Sequence, residues 1–287
     1  MNADPMDTLE YREFPTEHGS IRYWITPEPD PEKPWLVFLH GMLVDHRLFT
    51  KQLVHFSGPD GSANVLAWDS PGHNESRPFD LDAITLGGVA QWLIGILEQE
   101  GVVRPVLVGQ SFGGMVCQAA LQLRPDLASG FVCIDSVPLG RQYWNAIELA
   151  AARRIEPVLR MRPWKKILEA APKETSESEY GQRLTREMLE VYDKEEYVRL
   201  AVRTINATAD AILADLDYQL PCPTILVCGV NDATANSKRQ NKRWAEETGR
   251  TVKWIPHAAH NANADNPAAV NAHIERFLGE LAAGERR

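Results

Sequence analysis

Short apolar runs without polar interruption recur along the chain, each followed by a helix-length stretch. WLVFL covers 35–39, NVLAWD ends at Asp69, VRPVLVG ends at Gly109 and GFVCID ends at Asp135. Runs that are apolar on both faces read as strands of a buried parallel sheet, and their alternation with helices implies crossovers in a doubly wound arrangement. Ahead of them, LEYREFP and SIRYWIT flank Glu17-His18-Gly19, a hairpin signal, and the polar, proline-rich PEPDPEKP must be loop. The rhythm stops after Asp135. From 137 to 220 apolar residues fall three and four apart (Ile155 and Leu159; Met188, Val191 and Tyr192) with no strand-like run. It resumes with PCPTILVCG, SKRQNKRWAEET and TVKWIP, and a last helix opens at Asn266-Pro267, a cap residue followed by proline at the first helical position. Residues 1–136 and 221–287 therefore read as one α/β core, and 137–220 as an inserted helical block placed to serve as a lid.

Composition narrows the function classes. The chain has 287 residues, 44% hydrophobic and 24% charged, enough to bury a core without metal or disulfide staples. Acidic residues outnumber basic ones 39 to 30, for a net charge of -9, which argues against a nucleic-acid partner. The basic group Lys238, Arg239, Lys242 and Arg243 falls at helical spacing among polar residues and reads as a solvated helix face. Cys117, Cys133, Cys222 and Cys228 lie in apolar stretches with no C-x-x-C pair, so they read as small hydrophobes in a reducing compartment. The start, MNADPMDTLEYREF, is unlike a signal or transit peptide, and no apolar run approaches the roughly 20 residues of a membrane helix. A cytoplasmic location is expected.

The chemistry enters at VLVGQSFGGM, 106–115. A buried strand turns into a helix through Gly109-Gln110-Ser111-Phe112-Gly113 with no loop to spare. The two glycines let strand and helix approach closely, and Ser111 is thrust out at the carboxyl end of a strand, with a helix N-terminus behind it. A G-x-S-x-G turn between strand and helix is a nucleophile elbow. In this respect the chain resembles the α/β-hydrolase family over most of its length, the helical insert excepted. The resemblance implies a mostly parallel, eight-stranded, doubly wound sheet with helices on both faces and an inserted helical lid.

It also implies a Ser…Asp…His order. A serine hydroxyl needs a base, and the family places a histidine late, shortly before a helix that starts with proline. His260 in WIPHAAHNANADNP matches that position, His257 is its rival, and Ala259 stands where the family often has glycine. Asp232, in ILVCGVNDAT, lies where the family keeps its acid; Asp135 is the rival, and Asp215 and Asp217 are weaker candidates. The Phe112 N–H and, by the match of His40-Gly41-Met42 to the family's His-Gly turn, the Met42 N–H are expected to form an oxyanion hole. His40 reads as a structural hydrogen bonder. The loop Asp69-Ser70-Pro71-Gly72-His73-Asn74-Glu75-Ser76 resembles the family's D-x-P-G-x-G-x-S and is assigned a structural role. His18 falls in a turn and His46, His55 and His273 on helix-like segments, with no metal-ligand spacing.

The expected activity is hydrolysis of an uncharged ester, thioester or lactone through an acyl-enzyme, with no cofactor or metal. Tyr143, Trp144, Met161 and Trp164 of the insert are the candidate lining of an apolar substrate pocket, or alternatively pack the insert onto the core. The alternatives are carbon–carbon bond hydrolysis or cofactor-free oxygen chemistry on the same scaffold, and a ligand sensor with little turnover. Substrate identity and oligomeric state are not legible.

Overall fold

The computed structural model describes residues 8–58 and 60–284; the first seven residues, part of the stretch read for a leader, lie outside them. Eight strands form one sheet: β1 (Glu10–Thr16), β2 (Gly19–Ile25), β3 (Trp35–Leu39), β4 (Asn64–Asp69), β5 (Val106–Gln110), β6 (Gly130–Ile134), β7 (Thr224–Gly229) and β8 (Val252–Ile255). Their order is β1-β2-β4-β3-β5-β6-β7-β8. β2 is antiparallel to both β1 and β4, and all other neighbours are parallel. The order reverses between β3 and β5, which makes their carboxyl ends the place where a crevice opens.

Side-chain alternation explains the uninterrupted apolar runs. Val37 and Leu39, Leu66 and Trp68, Leu107, Phe131, Cys133 and Leu226 join one apolar cluster, beneath α2 (Leu86–Gln99) and α3 (Phe112–Leu123). Leu36 and Phe38, Val65 and Ala67, Val106 and Val108, Val132, Ile134 and Val227 join the other, with α1 (Thr50–Ser57) and α11 (Pro267–Gly284). Successive residues of each strand serve opposite cores, so no position in the strand is free to be polar. All four cysteines are free and buried.

Between β6 and β7 the chain runs through α4 (Ala146–Arg153), α5 (Ile155–Met161), α6 (Trp164–Thr175), α7 (Glu179–Leu189) and α8 (Lys194–Leu213), with no strand. Local chemistry sets the ends. Asn145 with Glu148, and Asp193 with Glu196, form reciprocal capping boxes at the starts of α4 and α8. After β7 come α9 (Ser237–Thr248), β8, the single turn α10 (Ala262–Asp265) and α11. α9 closes on Gly249 at φ +69. At the head of α11, Asn266 Oδ1 accepts the Ala269 N–H at 3.2 Å, the cap that Asn266-Pro267 signals. α8 packs on α2, α7 on α10 and the short His46–Phe49 turn, and the Arg141–Tyr143 turn on α9, so the helical block bears on the core along its length. No helix among the described residues is long and apolar enough to cross a membrane.

Phe38 is fully buried in β3 and packs against Phe49 with the rings tilted by 45° and 5.0 Å between centroids. Phe38→Ala should lower the unfolding free energy by about 3–5 kcal/mol, read by urea denaturation.

Candidate active site

The turn after β5 is held by sterics. Ser111 adopts φ 50, ψ -116, a conformation that costs a non-glycine residue of order 1–3 kcal/mol and persists only where its surroundings impose it. A Cβ on Gly109 would lie 2.6 Å from the Gly113 carbonyl oxygen, and one on Gly113 would lie 2.0 Å from the Leu39 carbonyl oxygen. Only glycines permit that approach. The Ser111 N–H donates to the Ile134 carbonyl at 2.9 Å, and Ser136 Oγ donates to the Ser111 carbonyl at 2.7 Å, fixing the turn to the end of β6. Ser111 is the residue ahead of α3, yet its side chain caps nothing.

That hydroxyl is instead hydrogen-bonded to His260. Ser111 Oγ lies 2.9 Å from His260 Nε2, and His260 Nδ1 lies 3.0 Å from Asp232 Oδ2. With Nδ1–H donating to the carboxylate, Nε2 is left as an acceptor facing the serine hydroxyl. Asp232 is fixed in turn: its Oδ1 accepts the Thr234 N–H at 2.8 Å, and its Oδ2 also accepts Ser237 Oγ. Burial opposes ionisation of Asp232, but the His260 charge and these donors outweigh it and hold the carboxyl below its usual range. Burial likewise works against a charged His260, and the Asp232 carboxylate reverses that, holding the imidazole above the usual histidine range.

The rivals go elsewhere. Asp135, at φ 47, accepts the Gly229 N–H at 2.7 Å and the Ala262 N–H at 3.0 Å, bracing β7 against α10. Burial and the Asp232 charge push its carboxyl well above the ordinary range. His257 is exposed, as are Asp215 and Asp217.

The loop after β3 lies over the elbow. A Cβ on Gly41 would come within 3.2 Å of Ser111 Cβ and 2.2 Å of Gln110 Oε1. Among the described residues, neither the Met42 nor the Phe112 N–H donates a hydrogen bond. His40 Nδ1 donates to the Gly41 carbonyl at 2.7 Å and its Nε2 accepts the Ser70 N–H at 2.8 Å, so both ring nitrogens are used and burial keeps the ring neutral. Asp69 accepts His46 Nδ1 at 2.8 Å, the His46 N–H at 2.9 Å, and Asn74 Nδ2 and the Glu75 N–H at 3.1 Å each. Among the described residues two groups have metal-ligand proximity, Asp45–His46–Asp69 and Asp135–Cys228–Asp232. Their carboxylates already accept protein donors, Asp45 from Arg47 at 2.6–3.0 Å, so both read as hydrogen-bond lattices.

Residues 36–273 match the alpha/beta hydrolase family. The chain belongs to this family. An sn-1-specific diacylglycerol lipase of Mus musculus is 27% identical over 260 residues, 87% of this chain and 82% of the relative. A 2-succinyl-6-hydroxy-2,4-cyclohexadiene-1-carboxylate synthase of Klebsiella pneumoniae is 30% identical over 260 residues, 86% and 95% of the two chains. A thermophilic esterase from Thermogutta terrifontis superposes with a TM-score of 0.73 at 19% identity, covering 95% of this chain and 99% of its own.

In this alpha/beta hydrolase the four insert residues expected around a pocket are dispersed. Met161 is 76% exposed on α5, a helix with no buried residue. Tyr143 is buried in the cluster that contains Phe112 and also meets α9: the Arg243 guanidinium stands 5.1 Å over its ring and Gln240 Nε2 donates to its carbonyl at 2.9 Å. Helical spacing marks an apolar face without saying what that face meets. Trp144 and Trp164 are half-buried against the cluster that contains Phe112; Trp144 donates to the Pro138 carbonyl at 2.8 Å and Trp164 packs on Tyr197 at 5.2 Å. The sequence reading missed Gln110, Ser237, Asn261 and Asp265, all bonded to the Ser111–His260–Asp232 array or its flanks. The polar run NANADN ahead of a proline-started helix was the available signal, since most of it is buried.

Gly113→Ala would drive a methyl group into the Leu39 carbonyl. It should lower stability by about 1–3 kcal/mol, or more if the elbow cannot shift, as measured by thermal or urea unfolding.

Proposed function

We propose that this alpha/beta hydrolase cleaves an uncharged ester, thioester or lactone through a Ser111 acyl-enzyme. The observation that carries the reading is the unbroken line of hydrogen bonds from the Ser111 hydroxyl through both His260 nitrogens to Asp232, 2.9 and 3.0 Å. Ser111 Oγ attacks the carbonyl carbon while His260 Nε2 takes its proton, and Asp232 stabilises the imidazolium. The carbonyl oxygen becomes an oxyanion held by the Phe112 and Met42 N–H groups, each free of other partners and each worth roughly 3 kcal/mol if well aimed. His260 returns its proton to the leaving oxygen or sulfur. Water then attacks the acyl-enzyme by the same sequence, releasing the acid and restoring Ser111.

An apolar, uncharged acyl or alkyl group suits the surroundings, since Phe112, Met42, Trp144 and Trp164 belong to or pack against one apolar cluster. Helices α4–α8 would act as a cap over that region, with 137–220 as its extent. The 30% identity to a protein named as a synthase supports a second reading, that the same array acts on a bond other than an ester, for which carbon–carbon bond hydrolysis is one candidate.

A panel of esters, thioesters, lactones and vinylogous diketones of graded size separates these readings by which class turns over. Ser111→Ala should lose about a million-fold in turnover of the preferred class. A fluorophosphonate should label Ser111 stoichiometrically; labelling without turnover of any substrate would mean a sensor, and an active Ser111→Ala protein would end the proposal.

The base must be neutral, and its pKa is raised. Activity should therefore be lost as pH falls through a midpoint above the ordinary histidine value of about 6.5. Asp232→Asn removes the charge that raises it, so kcat at saturating substrate should fall about ten-thousand-fold, and the acid limb of the kcat/KM profile should move to lower pH.

A further inference from the structure

We infer that the corner between α6 and α7, residues Thr175–Ser178, is a strut that sets the position of His260, and that Asn261 and Asp265 are the positioning residues through which it acts. The inference rests on the reading of Ser111, His260 and Asp232 as the reacting groups.

His260 stands on a loop that leaves β8 and reaches the single turn α10, with no regular structure of its own to hold it. A loop of that kind is mobile unless its backbone groups are bonded. Here they are, and the partners come from the insert. The Asn261 N–H donates to the Thr175 carbonyl at 2.8 Å, and Asn261 Nδ2 donates to Ser176 Oγ and Thr185 Oγ1 at 3.0 Å each. On the other side of the imidazole, the Ala259 N–H donates to Asp265 Oδ2 at 2.9 Å. The same carboxylate accepts the Glu177 N–H at 2.8 Å, the Ser178 N–H at 2.9 Å and Ser178 Oγ at 2.8 Å. One buried amide and one carboxylate thus join both neighbours of His260 to four consecutive residues of the insert.

The corner itself is built for this contact. Ser178 Oγ caps α7 by accepting the Gly181 N–H at 2.9 Å while donating to Asp265. A Cβ on Gly181 would lie 2.6 Å from Asp265 Oδ1, so glycine is what lets α7 come this close. Glu177 reaches further, its Oε2 accepting Asn231 Nδ2 at 2.8 Å, and Asn231 precedes Asp232. From the core side, Gln110 Nε2 donates to the His260 carbonyl at 2.7 Å. The insert therefore grips the flanks of the base and the acid, and any rearrangement of α6 and α7 is transmitted to His260. A cap that opened as a freely hinged lid at this corner would dismantle the array it covers.

The test uses the full chain and the rate of fluorophosphonate labelling at Ser111 as a function of pH. The ionisable groups facing the imidazole are Asp232 from the end of β7 and Asp135 from the end of β6. Asn261→Ala changes neither and removes no charge, so it is the decisive variant; Asp265→Ala also alters the local field and is read for rate alone. Both should label about 10–100-fold more slowly, as expected when a reacting group shifts by a fraction of an ångström to an ångström. In Asn261→Ala the acid midpoint should fall as the His260–Asp232 bond loosens. Arg186→Ala, which breaks only an exposed pair with Glu190 on α7, should match the wild type. Rates and midpoint within twofold of wild type in folded Asn261→Ala would overturn the proposal, and so would slower labelling with an unmoved midpoint, which signals general loosening. Hydrogen exchange on the unaltered protein decides the matter should a variant not fold: the amides of Ala259, Asn261, Glu177 and Ser178 should open together, and independent opening of the insert pair would refute the strut. Should wild-type Ser111 resist labelling, the hydrolase reading fails, and the exchange measurement still tests the tie.

Discussion

The backbone of one residue fixes the arrangement at the carboxyl end of β5 on which the neighbouring contacts depend. Ser111 is held at a positive φ between a strand and a helix that touch through glycine, and the cost of that conformation is met by the packing on either side. The turn can neither relax into the helix nor lengthen into a loop, because Gly113 lies against the Leu39 carbonyl and the Ser111 N–H is spent on β6. A hydroxyl at the head of a helix would ordinarily fold back to cap it. This one is aimed outward, with the N-terminal dipole of α3 behind it and an imidazole in front.

Around that turn the sheet acts as a frame that brings distant residues to one rim. β3 delivers the His40–Met42 loop, β5 the elbow, β7 the Asp232 turn and β8 the His260 loop, all at carboxyl ends of parallel strands. Because neighbouring strands are fixed in register by both apolar cores, the loops inherit positions far better defined than their own sequences would dictate. Two buried carboxylates illustrate the consequence. Asp135 and Asp232 lie within reach of each other, yet burial and the Asp232 charge drive Asp135 toward the neutral form against its two N–H donors, while Asp232 pairs with His260 and stays charged. Their chemistry differs because only Asp232 has the imidazole as a direct partner.

The helical insert enters this picture through its ties to the histidine loop. Asp265 and Asn261 join it to the histidine loop through hydrogen bonds that include a carboxylate, the stronger kind. Of its aromatic residues, Tyr143 meets α9, while Trp144 donates to the Pro138 carbonyl and Trp164 packs on Tyr197, both contacts within the insert.

By itself the chain determined the alternation of strand and helix, the interruption after Asp135 and the chemistry of the elbow, because these are written in nearest-neighbour patterns: continuous apolar runs, glycines two residues either side of a serine, Asn before Pro. WLVFL, NVLAWD and SKRQNKRWAEET coincide with β3, β4 and α9. Resemblance to a family narrowed the histidine and the acid to short lists, His260 or His257, Asp232 or Asp135. Which members of each pair meet is visible only in the tertiary structure, since a hydrogen bond between residues 28 positions apart depends on where two loops converge and not on either loop's composition. The same reason hid the hydrogen bonds of Asp265, Asn261 and Gln110. A polar residue's partner, and the surface an apolar helix face meets, are decided by packing across the fold.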